Sequence, residues 1–165
     1  MRTIRKGRGM ACLVRGALRG AAAGAAGTTA LNGVTYLDMA LRGRPGSDTP
    51  EETVRALSDK TGIPVPGEGE EQDNRVSGLG PLTGLAAGVG TGALLGIVTA
   101  AGWRPGRAVA AALATAGAML GSNGPMTALG ITDPRAWPVS SWISDLVPHA
   151  AYGAVTAAVL YGLDH

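Results

Sequence analysis

From Gly80 to Trp103 the chain carries no charged side chain, and glycine recurs at every fourth position: Gly80, Gly84, Gly88, Gly92 and Gly96. A run of this length suits a membrane-crossing helix, which needs about 20 apolar residues. Residues four apart share one helix face. Five glycines there leave a groove without side chains, where a second helix can pack backbone to backbone. The same spacing appears earlier as Gly16, Gly20 and Gly24, continued by Thr28, Asn32 and Tyr36, and later, in short form, as Gly117 and Gly121. Such a glycine zipper has two natural uses. It packs helices tightly within one chain, or it forms an interface between copies.

Composition points to a bilayer as the solvent. The chain has Gly 27, Phe 0 and 16% charged residues, against about 25% in soluble domains. Glycine and alanine bury little apolar area, so in water such a chain would struggle to offset its backbone entropy. Within a membrane the backbone must satisfy itself, which favours helices. The expectation is an all-α, membrane-embedded bundle of about four transmembrane helices in a single domain over 1–165. The spans fall at about 17–41, 80–103, 107–129 and 139–163, and a polar outer loop covers 42–79. Trp103, Trp137 and Trp142 lie near span ends, where interfacial aromatics belong.

The polar loop reads as one short extramembrane helix followed by irregular chain. Thr49 as cap, Pro50 as first residue and Glu52 three positions after the cap give a capping box, and Gly62 gives a stop. Pro64, Pro66 and the acidic group Glu68, Glu70, Glu71 and Asp73 predict an irregular segment. Orientation follows the basic residues. Arg2, Arg5, Lys6, Arg8, Arg15 and Arg19 crowd the N-terminus, and Arg104 and Arg107 share a short turn. Short basic segments favour the cytoplasm. Both termini are therefore expected on the cytoplasmic side of a bacterial inner membrane, with the acidic loop outside. Gly9-Met10-Ala11-Cys12 lacks the leucine that a lipoprotein site wants, and Arg15 and Arg19 interrupt what would be a signal peptide's apolar region.

Polar residues at membrane depth are costly and often functional. Asn32, Asp38, Asn123, Asp145 and His149 form a candidate polar path, with Tyr36 beside them. Asp145 and His149 are four apart and share a face, so they can pair to relay protons or hold a cation. In the bland alternative Asp145 sits in the outer interface, Pro148 opens the helix, and His149 bonds to a neighbour. Asn123-Gly124-Pro125 predicts either a helix broken within the membrane or a plain helix end near Leu120. Asn32-Gly33 echoes Asn123-Gly124, and each Asn is followed twelve positions on by an arginine, Arg44 and Arg135, as a duplicated hairpin would give.

No phosphate-binding loop, metal motif or catalytic constellation is visible. The second histidine is the C-terminal His165, and Cys12 has no evident base partner or disulfide mate. The chain is thus expected to be no enzyme and to hold no cofactor or metal. Its expected partners are the lipid bilayer and a homo-oligomer or larger membrane complex. Nucleic acid is excluded by the lack of a basic face with stacking aromatics. Two functions fit. One is a structural or accessory protein packing through its glycine faces: Gly20, Gly24, Gly80, Gly84, Gly88, Gly92, Gly96, Gly117 and Gly121. The other is a small oligomeric channel or transporter with a path along Asn32, Asn123, Asp145 and His149.

The stretch TALNGVTYLDMALRGRPGSDTPEETVRALSDKTGIPVPG, followed by EEQDNRVSGLGPLTGLAAG and later PHAAYGAVTAAVLYG, resembles a family of uncharacterised small multi-pass membrane proteins from high-GC actinobacteria. The closing Pro-His-x-x-Tyr-Gly is faintly similar to the YagU-type inner-membrane family. The resemblance implies a location and no mechanism.

Overall fold

The computed structural model describes residues 3–163, with side chains described from Gly9 onward. Of the residues singled out above, Arg2, His165 and the side chains of Arg5, Lys6 and Arg8 lie outside the described residues. The described chain is helical and has no strand. Its elements are α1 (Thr3–Arg42), α2 (Thr49–Thr61), α3 (Glu70–Ala100), α4 (Arg107–Ala128), a 3-10 turn (Pro134–Ala136) and α5 (Val139–Gly162). Helices α3 and α5 are long and apolar enough to cross a membrane, whereas α1 and α4 fall short of the same measure among the described residues.

Four helices form a ring in which each neighbour runs antiparallel. α1 packs most extensively on α3 and then on α5; α4 packs on α5 and more lightly on α3. The registers show the directions. Gly16, Gly20 and Gly24 of α1 meet Gly96, Gly92 and Gly88 of α3 in reverse order. Gly117 of α4 lies against Thr91 of α3, and Gly153 of α5 against Ala111 and Thr115 of α4. α2 sits outside the ring on the N-terminal part of α3, burying Thr53 and Val54.

The core is built from small side chains. Ala23, Ala110, Ala114, Ala118 and Ala157 are buried in it with Leu95 and Leu160, and Tyr152 is its largest fully buried side chain among the described residues. Large apolar side chains point outward instead, among them Leu18, Leu37, Leu41, Leu82, Leu94, Leu120 and Ile143. Soluble monomers rarely expose apolar surface on this scale.

Several boundaries differ from the expectation. α1 begins at Thr3 rather than near residue 17, its charged N-terminal segment continuing the helix. The segment expected to be irregular is shorter, because α3 starts at Glu70. Glu70, Glu71 and Asp73 occupy its first turn, where carboxylates meet the positive end of the helix dipole. α2 is capped one residue upstream of Thr49, by Asp48, with no side-chain cap bond, so the capping box does not form. Gly62 does end α2, in the left-handed conformation at φ 69°. Neither reading of Asn123-Gly124-Pro125 holds: α4 runs through Pro125 to Ala128. Likewise Pro148 does not open α5, and α3 passes through Pro81. Each proline removes one donor, but long helical flanks and tertiary packing carry the helix across, as membrane helices commonly tolerate.

Candidate functional site: a polar cavity at the loop end

The antiparallel ring gives the molecule two ends. Cys12, Arg15, Arg19 and Arg104 gather at one, around a small cleft of about 90 Å³ next to Gly96 and Leu160, and Arg107 begins α4 at the same end. The C-terminus of α1, the start of α5, the end of α4 and helix α2 gather at the other. Between them lies a cavity of about 550 Å³, within the range of small-molecule sites.

Each wall of the cavity has a source in helix geometry. Leu31, Thr35 and Arg42 supply the α1 wall. Ser122, Asn123 and Met126 supply that of α4, and Ser141, Ser144, Asp145, Pro148 and His149 that of α5. All follow the 3–4 residue recurrence of one helix face. Arg44 and Ser47 come from the α1–α2 connection, and Trp137 from the α4–α5 connection.

Asn123 and Asp145 meet across the α4–α5 contact, with Asn123 Nδ2 donating to Asp145 Oδ2 at 2.9 Å. Asp145 and His149 pair along α5. His149 Nδ1 lies 2.7 Å from the Asp145 carbonyl oxygen and 3.4 Å from its carboxylate Oδ1. His149 Nε2 faces Ser122 Oγ at 3.3 Å. At the rim, Arg44 Nε donates to Asp38 Oδ2 at 2.5 Å, and Arg42 Nη1 reaches Ser144 Oγ at 3.0 Å and Asp38 Oδ1 at 3.4 Å. Asp38 thus fastens two arginines that line the cavity and contributes no wall of its own. Asn32 is elsewhere: it is exposed and does not line the cavity, so it does not belong to the polar group. Tyr36 is also exposed.

No protein-family model, curated protein or solved structure matches the chain. The actinobacterial and YagU-type resemblances therefore stay expectations, and the geometry of the cavity carries the reading of its chemistry. Arg42, Arg44, Ser122 and Ser144 belong to the site and escaped the sequence reading. The arginines looked like loop residues, and nothing local distinguishes Ser122 from other helical serines.

The glycines divide by use. A Cβ on Gly24 would fall 2.6 Å from the Gly88 carbonyl oxygen, and one on Gly92 would fall 2.6 Å from Gly24 Cα. Gly16, Gly20 and Gly96 are equally hemmed in by backbone. Gly88 faces the Thr28 hydroxyl. Gly80 packs against Pro50 and Glu51 of α2, and Gly84 faces open space. Gly117 touches Thr91, and Gly121 is in ordinary contact with Ala87 and Thr91. The fourfold stripe on α3 is therefore three surfaces: Gly80 lies under α2, Gly84 is open, and Gly88, Gly92 and Gly96 are covered by α1 of the same chain.

Below the cavity the ring closes. The Tyr152 hydroxyl crosses from α5 and donates to the Gly88 carbonyl oxygen of α3 at 2.6 Å, with Thr156 fully buried one turn further down. Outside the helices, Arg135 bonds Asp133 through its side chain and its backbone N–H, and holds that carboxyl below the usual aspartate range.

Proposed function

We propose that the chain is a four-span membrane protein whose loop-end cavity binds a small polar ligand. The observation that carries this reading is the inverted distribution of side chains: alanine and glycine inside, leucine and isoleucine outside. A bilayer makes that arrangement favourable, and water does not. Two further features agree. Trp103 lies beyond α3 at the basic end, while Trp137 and Trp142 stack edge to face at 5.2 Å at the loop end, as two interfacial belts would. α1 and α4 are rich in glycine and alanine, which lowers their apolarity while helping them to pack. In this reading the basic end faces the cytoplasm and the loop end the outside of a bacterial inner membrane.

A binding cavity lined by Asn123, Asp145 and His149 is favoured over both functions raised by the sequence, the glycine-packed scaffold and the channel or transporter. Of the glycine faces that would serve a partner, all but the one at Gly84 are covered by the chain's own helices. A dead-end cavity is favoured over a conduit, because Tyr152, Thr156 and the alanine core separate the cavity from the cleft at the opposite end.

The test uses full-length protein in proteoliposomes. Ser141→Cys, in a Cys12→Ser background, should react with a hydrophilic thiol reagent from the loop side alone, and proton and sodium flux should match that of empty liposomes. Flux that Asp145→Asn weakens would replace the binding cavity with a channel.

A further inference from the structure

The α4–α5 contact holds more than a ligand-binding wall. Ser122 Oγ lies 3.3 Å from His149 Nε2, and His149 Nδ1 lies 2.7 Å from the carbonyl oxygen of Asp145. A carbonyl only accepts, so Nδ1 carries the proton. The neutral ring then presents the Nε2 lone pair to the serine hydroxyl, which is the tautomer a general base requires. The Ser122 hydroxyl has a second acceptor, the Ala118 carbonyl oxygen at 3.0 Å. Rotation about its Cβ–Oγ bond brings the proton to His149 without moving the oxygen.

The third member is in place as well. Asp145 Oδ1 sits 3.4 Å from Nδ1, where it would stabilise the ring once charged, and Asn123 anchors the other carboxylate oxygen. The histidine and aspartate side chains are only 10% and 20% exposed, so this charge partnership is weakly screened by water. All three residues border the same 550 Å³ cavity. A nucleophile within reach of a base that is itself oriented by a third group is the general signature of an activated serine.

We propose that Ser122 is a nucleophile, activated by His149 and with Asp145 as the positioning residue, and that the cavity hydrolyses small water-soluble esters. Ser122 Oγ bonds to the acyl carbon as its proton passes to His149 Nε2. The ester C–O bond breaks, and the leaving alcohol takes that proton. Water then attacks the acyl-serine, giving a proton to His149, and Ser122 recovers it as the carboxylic acid departs. Ester and water become acid and alcohol, with no other reactant. Asn123 positions the aspartate and takes no part in these bonds.

This inference rests on the cavity being open from the loop side. Full-length protein in mild detergent would be treated with a fluorescent fluorophosphonate and the adduct mapped by peptide mass. One adduct per chain on Ser122 is expected. His149→Ala should slow labelling at least a hundredfold. Asp145→Asn should slow it less and alter its pH profile, which a merely structural role would leave unchanged. Absence of an adduct, or an adduct on another serine, would overturn the proposal. The wild-type map decides this even where a variant fails to fold. If no adduct forms while Ser141→Cys still reacts from the loop side, the esterase inference falls and the binding cavity stands.

Discussion

The α1–α3 contact and the α4–α5 contact are built on opposite principles. In the first, glycines face glycines, and the helices approach until the backbone of one touches that of the other. Little there can ionise or donate a proton from a side chain. In the second, Ser122 and Asn123 face Asp145 and His149, and the helices are joined by side-chain hydrogen bonds. Close approach brings dispersion contacts that depend on having no side chain in the way. A polar contact leaves room for chemistry, at the cost of groups that must find partners. One bundle uses the first to hold its shape and the second to line its cavity.

The largest effect should come from filling the glycine contact. Gly92→Leu places its Cβ against the backbone of Gly24, which cannot rotate away, and should destabilise the protein by about 3 kcal/mol or more. Thermal unfolding in detergent reads this, and an unchanged midpoint would mean that α1 and α3 are not in contact. On the polar side, Asn123→Ala leaves the Asp145 carboxylate without a partially buried donor and should cost about 2 kcal/mol. The same unfolding curve measures it, and a neutral result would show that water replaces the amide. Tyr152→Phe removes the bond that ties α5 to α3 beneath the cavity, for about 1 kcal/mol. The smallest shift has the opposite sign. Gly84→Ala meets nothing within 4 Å and exchanges a poor helix former for the best one, so stability should rise by up to about 1 kcal/mol. A loss there would place a neighbour against Gly84 that the isolated chain does not contain.

The two contacts were unequally legible in the sequence. A fourfold glycine period survives any folding of the rest of the chain, so the face was readable from α3 alone. Its occupants were not, because crossing helices diverge. Gly88, Gly92 and Gly96 lie at the crossing, Gly84 lies beyond it, and Gly80 meets α2. The polar residues were chosen by type, and type does not specify a face. Asn32 differs from Leu31 by one position, about 100° around the helix, and that turn carries it away from the cavity. Ser122 gains its meaning from His149, 27 residues away on another helix, so no local pattern could have marked it. Prolines misled for a related reason. Pro125 and Pro148 lower the local preference for helix, but the flanking turns and the packing of α4 on α5 outweigh one lost hydrogen bond each.

All of this rests on lipid surrounding the outward leucines, with the two ends of the bundle on opposite sides of the membrane. Two single-cysteine variants test that most directly in a Cys12→Ser background: Asp59→Cys on α2 and Gly106→Cys in the α3–α4 turn. Each would be exposed, in sealed cells and then in permeabilised ones, to a maleimide that cannot cross membranes. The account predicts that Asp59→Cys reacts in sealed cells and Gly106→Cys only after permeabilisation. Reaction of both in sealed cells, or of neither, would put the two ends on one side and contradict the four-span bundle.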